Sequence, residues 1–415
     1  MRRPIAAVVT LLAVLPLAAH AAPLSGRWEG VFRGGRGDQP VTLICREGQG
    51  GTFTGLLYMS GDLMGPIENG TVAGDSLHFN VMNFGFRASR QADQMHVVLS
   101  IVHGQAHEMA LHFTNPDTAA LVQTPEANAA ARARIEVAWD QVPDSVFAQH
   151  RVPAAAPIAV ADAMRTGTLL LVGGGPAQDD VNAEFVRLAG GASARIVVIP
   201  TAGIDPGQDD AALTDGDRWA RSLGVAHATV MHTSSRREAD SEAFVRPLRD
   251  ATGVWLPGGE AGRILVSYLG TRTERELFAM LARGGVIGGT SAGALVWGSE
   301  CQTFRAPKDG SPYQMGDVNA LLLGDPHGVC FGTLRQVVIA PHFAEFRMQP
   351  SLAKTVAARP QLLGIGIDEA TALEVQGSVG KVLGRGHVTI VGGGAPAPQV
   401  LAAGARYDLV KRASL

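Results

Sequence analysis

The chain has little charge and no excess of either sign. Charged residues are 18% of its 415 positions, with 35 Lys and Arg against 38 Asp and Glu, for a net charge of −3. That balance leaves no footprint of nucleic-acid or anionic-membrane binding. A hydrophobic share of 46% excludes a disordered chain, and the length allows two or three domains with ample core. Cysteine is nearly absent, with only Cys45, Cys301 and Cys330. Three thiols make at most one bridge. Cys301 and Cys330 bracket a Gly/Pro/Asp-rich stretch, so a bridge between them and three buried thiols both fit. After the first residues no apolar run is long enough to cross a bilayer.

The exception is the start, "MRRPIAAVVTLLAVLPLAAHAAPLSG". Arg2 and Arg3 form a basic region, an apolar stretch follows, and Ala19-His20-Ala21 fits the small-x-small cleavage rule. The expectation is a signal peptide over 1–21, hence export to the periplasm or beyond. No Cys follows the cleavage site, so no lipid anchor is expected, and the mature protein should be free of the membrane.

Three further regions are distinguishable. Residues 22–119 carry short β-rich runs such as "GRWEGVF", "GTFTGLLYM" and "SLHFNVM", spaced by Gly, Asn and Asp turns. This predicts a small antiparallel sheet or barrel with Trp28, Phe53, Phe79 and Phe113 in its core. His107 and His112 lie one position too far apart for the zinc-binding pair of a helical metalloprotease. On a strand, His103 and His107 share a face that His112 does not, so they are read as exposed histidines. Residues 120–165 are Ala/Pro-rich and read as a helix followed by a linker. Residues 166–415 alternate apolar strands with amphipathic helices, which predicts an α/β domain: a doubly wound, mostly parallel sheet with helices on both faces and antiparallel strands at its end.

In such sheets the chemistry sits at the carboxyl ends of strands. "VIGGTSAGALVWG" contains Gly289-Thr290-Ser291-Ala292-Gly293, which fits the G-x-S-x-G nucleophile elbow. The amide of Ala292 is placed to serve as half of an oxyanion hole. "GVWLPGGEAGR" ends a strand in Gly258 and Gly259, either of which supplies a second amide. "VVIAPHF" puts His342 after a buried strand, and "GIGIDEATAL" puts Asp368 and Glu369 after another. A hydroxyl nucleophile needs a base, and the base an acid to orient it. The order Ser, His, acid differs from that of the α/β-hydrolases, in which the His comes last.

Taken together, "VGGG" at 172–175, "WLPGGEAGR", "VIGGTSAGALV", "APHF" and "GIGIDEATALEV" resemble the cyanophycinase and aspartyl dipeptidase family of serine peptidases. The resemblance covers about residues 166–392. It implies a class I glutamine amidotransferase-like fold and a hydrolase acting on an amide bond, with a peptide or peptide-like substrate and no metal or cofactor. It also implies that Ser291 is the nucleophile, His342 the base and Glu369 the acid, with Asp368 and then Asp309 as alternatives. Gly259 and Ala292 would form the oxyanion hole, and Glu260, Arg263 and Arg347 would contact substrate. A homodimer stays open, as do an esterase or amidase and a binding protein on the same fold. The family's Asp-Gln before the His is Ala340-Pro341 here, and its arginines four, six and nine residues after it are Phe346, Met348 and Ser351. The machinery thus looks intact while the pocket does not, so cyanophycin itself is not the expected substrate.

Overall fold

A computed structural model describes residues 23–34, 37–59, 62–81, 84–100, 107–116, 137–175, 179–203, 217, 219–221, 223–301, 328–346, 348–392 and 397–415. The expected signal peptide, the 120–136 part of the expected helix, His103, Asp309 and Arg347 lie outside the described residues.

The N-terminal region is a closed antiparallel barrel of eight strands: Gly26–Gly34, Gly37–Glu47, Phe53–Met59, Asp62–Ala73, Ser76–Val81, Phe84–Gln91, Gln94–Ser100 and His107–Asn115. Each pairs with the next, and the first closes on the last through Trp28 opposite Phe113. Alternation does the sorting: in Ser76–Val81, Leu77, Phe79 and Val81 point inward while Ser76 and His78 are exposed. Trp28, Phe53 and Phe79 fill the interior, and Phe113 packs against them half-buried. Trp28 Nε1 donates to the Leu24 carbonyl at 3.0 Å, which satisfies the one polar atom its burial would strand. Cys45 is enclosed here, and burial pushes its thiol up to about 12, which keeps it an inert thiol.

The second region is built on two sheets. The larger runs, from one edge, His227–Val230, Arg195–Val198, Gly253–Leu256, Val286–Thr290, Thr168–Val172, Thr371–Gln376, Val379–Gly384, Arg406–Asp408 and Ala413–Ser414. The first five are parallel and the rest join antiparallel. Both faces are dry. Leu169 and Leu171 enter one apolar cluster, and Leu170 and Val172 enter another. The helices Ala261–Tyr268 and Arg272–Ala282 pack into the first, and Asp179–Leu188 into the second.

One sheet was expected, and the structure separates out a second. Val337–Pro341 and Leu363–Ile367 pair in parallel, and Val388–Gly392 and Gln399–Leu401 extend them antiparallel. The reason lies in two-sided apolar strands. Val337 and Ile339 belong to the main core, whereas Val338 and Ala340 join Phe343, Met348 and Leu352 in a separate cluster. The helix Gln349–Ala358 closes that outer face.

The expected linker is also corrected from Val137 onward. Val137, Val142, Phe147 and Ile158 are buried in the main core. Ala159–Val160 pairs with Leu334–Arg335, and Gln336 Nε2 donates to the Pro153 carbonyl at 2.6 Å. Apolar residues interleaved with Ala and Pro anchor this stretch to the α/β unit. Cys301 and Cys330 are disulfide-bonded, with Cα atoms 5.5 Å apart.

The helix Asp144–His150 is fastened by His150 Nε2 to Glu274 Oε1 at 2.8 Å. Burial opposes charging this imidazole. The hydrogen bond and charge of Glu274, with the Val146 carbonyl, outweigh it and hold His150 above its ordinary 6.5. A raised folded value stabilises most below the unfolded value, and the gain is lost as pH rises through the folded one. Glu274→Gln is therefore expected to lower the melting temperature at about pH 5.5 and to cost much less at about pH 9. An equal loss at both would disprove the coupling.

Candidate active site

The small residues around Ser291 answer to space. A Cβ on Gly289 would lie 2.2 Å from the Gly293 carbonyl oxygen, and one on Gly293 2.0 Å from that of Leu256. Strand and helix therefore touch through bare backbone. Ser291 between them has φ 56° and ψ −118°, a conformation that costs a non-glycine residue about 1–3 kcal/mol. The turn is held by hydrogen bonds from Ser291 N to Val172 O and from Leu295 N to Ser291 O, both 3.0 Å.

His342 follows Val337–Pro341, again left-handed with φ 51°, and its amide donates to Gly173 O at 2.7 Å. Its Nε2 lies 2.9 Å from Ser291 Oγ and its Nδ1 2.7 Å from Glu369 Oε1. The imidazole is 16% exposed and the Glu369 side chain 3%. A nearly dry carboxylate on Nδ1 places that proton and leaves Nε2 to accept from the hydroxyl.

The segment Gly173–Gly175 shapes the other wall. A Cβ on Gly174 would fall 2.1 Å from the imidazole Cε1, and one on Gly175 2.7 Å from Glu369 Oε2. Gly174 O accepts the Ala370 amide at 2.9 Å. The "VGGG" motif thus receives hydrogen bonds from the serine, the histidine and the residue after the glutamate.

Of the alternatives for the acid, Asp368 is engaged elsewhere. Its Oδ1 accepts from Ala344 N at 3.2 Å and its Oδ2 from His387 N at 3.0 Å. It clamps two loops, and Glu369 faces the imidazole.

Gly259 is exposed at the end of Gly253–Leu256, next to the elbow, with φ 142° and with Ala202 O where a Cβ would stand. Ala292 begins the helix behind Ser291. Glu260, expected to touch substrate, is 7% exposed, and its carboxylate accepts the Gly262 amide at 2.8 Å. It caps the helix Ala261–Tyr268, where a carboxylate satisfies an amide that the first turn leaves open. Arg263 stands half-buried in that first turn.

The expected pocket is corrected as well. Ala340 is 0% and Met348 1% exposed; both are core of the second sheet, not pocket lining. Phe346 does reach the site. Its ring stacks on the imidazole with centroids 4.6 Å apart and planes 13° apart. Sequence reasoning also missed Glu345, 2% exposed, whose Oε2 accepts the Glu369 amide at 3.1 Å. The signal was an acid three residues after the histidine in the apolar run "HFAEF".

The profile of Peptidase family S51 matches residues 169–383. Cyanophycinase of Synechococcus elongatus is 32% identical over 233 residues, which are 54% of this chain and 68% of the relative. Cyanophycinase of a Nostoc species is 31% identical over 238 residues, 54% and 74% of the two chains. A solved peptidase from an acI-B1 Actinobacterium is 26% identical with a TM-score of 0.47, covering 59% of this chain and 97% of its own. The matched span contains the elbow, the histidine and the buried glutamate, and the chain belongs to Peptidase family S51 as a serine-type peptidase.

Proposed function

We propose that this protein is an exported peptidase that cleaves an amide bond through Ser291, His342 and Glu369. The observation that carries the reading is the unbroken relay, 2.9 Å from Oγ to Nε2 and 2.7 Å from Nδ1 to the carboxylate. His342 takes the hydroxyl proton as Oγ adds to the carbonyl carbon. The amides of Gly259 and Ala292 hold the resulting oxyanion. The imidazolium then protonates the leaving amine, and water repeats the sequence on the acyl-enzyme. Glu369, on Nδ1, stabilises the imidazolium. Export is supported by the 1–21 segment and by the Cys301–Cys330 bridge, a pairing that persists in oxidising compartments. The five parallel strands with apolar clusters on both sides support a doubly wound, class I glutamine amidotransferase-like fold.

The substrate is a peptide with an apolar group near the scissile bond, and Arg263 is the candidate for binding a substrate carboxylate. The support is Phe346, which lies flat on His342 where cyanophycinases carry an arginine. One lost charge-assisted contact is worth about 1.5–3 kcal/mol, roughly ten- to a hundredfold in rate.

Three outcomes follow. A fluorophosphonate should label the wild type, and Ser291→Ala should take no label and lose peptide hydrolysis by several decades; wild-type turnover by that variant ends the assignment. Gly174→Ala should fold yet react at least about a hundredfold more slowly, because its methyl displaces the imidazole; an unchanged labelling rate would show that the relay is not built against this glycine. Insoluble cyanophycin should yield β-Asp-Arg at least about tenfold more slowly than with a cyanophycinase. Equal release would refute the substrate reading.

A further inference from the structure

Behind the relay lie three carboxyl groups in one dry place. Glu345 is 2%, Asp368 4% and Glu369 2% exposed. Glu369 faces His342, and Asp368 is engaged by the amides of Ala344 and His387, with the His387 ring 3.6 Å away. Glu345 makes no ion pair among the described residues. One of its oxygens holds the Glu369 amide, and the other is buried with no hydrogen-bond partner, as is Glu369 Oε2. A buried polar side chain left in this condition needs an explanation.

We propose that Glu345 is a positioning residue for the triad acid: its buried carboxyl group accepts the amide proton of Glu369 and so fixes the carboxylate that holds His342. This rests on the triad reading above. The residue before Glu369 is clamped through its side chain, and the residue after it through its amide to Gly174 O. The Thr371 hydroxyl donates to the Glu369 carbonyl at 3.1 Å, and Glu345 supplies the restraint on the amide of Glu369 itself. Without an acceptor that buried N–H would be unpaired, and the turn would shift to relieve it.

The same burial acts on the Glu345 carboxyl itself. Burial pushes it up; the amides of Glu369 and of Glu345 itself pull it down, and the charges of Glu369 and Asp368 push it up again, for a net rise. Its role in holding the Glu369 amide needs only an acceptor oxygen, which the carboxyl group offers with or without a proton.

The test compares two variants by their inactivation with a fluorophosphonate, resolving the limiting rate from the half-saturating concentration. Glu345→Gln keeps an acceptor and carries no charge, so its limiting rate should stay within about threefold of wild type. Glu345→Leu has similar bulk and no acceptor. Its limiting rate should fall about tenfold or more, counted per labelled site, with half-saturation unchanged. A purely structural residue would lower the melting temperature and leave the limiting rate alone. A leucine variant that reacts like wild type, or a glutamine variant as slow as the leucine one, overturns the proposal. If the leucine chain does not fold, the glutamine variant still decides, because a limiting rate about tenfold or more below wild type there overturns the proposal. Labelling of Ser291→Ala in the same assay would instead bring down the triad reading.

Discussion

The site depends on one short stretch of backbone. Val172, Gly173 and Gly174 end the central strand Thr168–Val172, and their carbonyls accept the amides of Ser291, His342 and Ala370 in turn. Ser291 follows a strand of the main sheet, His342 follows one of the second, and Ala370 lies in the turn that passes from the second sheet back to the main one. Hydrogen bonding to one shared edge sets their mutual spacing, and so sets the 2.9 and 2.7 Å contacts of the relay. The edge can do this only because it carries no side chain beyond Val172. Beyond Val172, a methyl group on either Gly174 or Gly175 would occupy the space of the imidazole or of the glutamate carboxyl.

This arrangement carries strain. Ser291, His342 and Ala370 all have φ between 51° and 56°, a region that branched or bulky residues avoid. Three such residues would relax unless the surroundings fixed them. The flanking elements are buried throughout: Thr168–Val172, Val337–Pro341 and Leu363–Ile367 have no exposed position. Apolar clusters on both sides of these strands hold them rigid, and the strained residues sit where the rigid elements end.

Ser291 and His342 were legible as candidates because each leaves a local trace, and two acids, Asp368 and Glu369, stood where a partner for His342 was expected; the structure brings Glu369 to the imidazole. Close backbone approach demands Gly289 and Gly293, and strand ends announce themselves where an apolar run meets a polar residue. The split into two sheets was not legible. A strand buried on both faces looks the same in sequence whichever partners it has, so Val337–Pro341 gave no hint of leaving the main sheet. The pocket was misjudged for a related reason: position relative to the histidine does not say which residues face the site. Ala340 and Met348 turn into the core, and only Phe346 meets the imidazole. The stretch from Val137 to Val160 failed differently. Its Ala and Pro content describes the unfolded chain well, but Val142, Phe147 and Ile158 decide the folded one.

The disulfide belongs to the same scheme of positioning. Cys301 comes just after the elbow helix, and Cys330 shortly before the strand that delivers His342. Just before Cys301, Ser299 and Glu300 donate their amides to Val337 O, and Glu300 pairs with Arg359 at 2.6 Å. The segment after Ser291 is therefore tied by backbone hydrogen bonds to the strand before His342, by an ion pair to Arg359 and by a covalent bond to Cys330. Burial raises the Glu300 carboxyl while Arg359 lowers it, for a net rise. A buried pair is weak evidence for stability in itself. Its placement is what counts here, because it fixes the stretch after the elbow helix against the end of the helix Gln349–Ala358. The bridge at Gly173–Gly175 fixes the front of the site and this cross-tie fixes its back, so Ser291 and His342 are held from both sides.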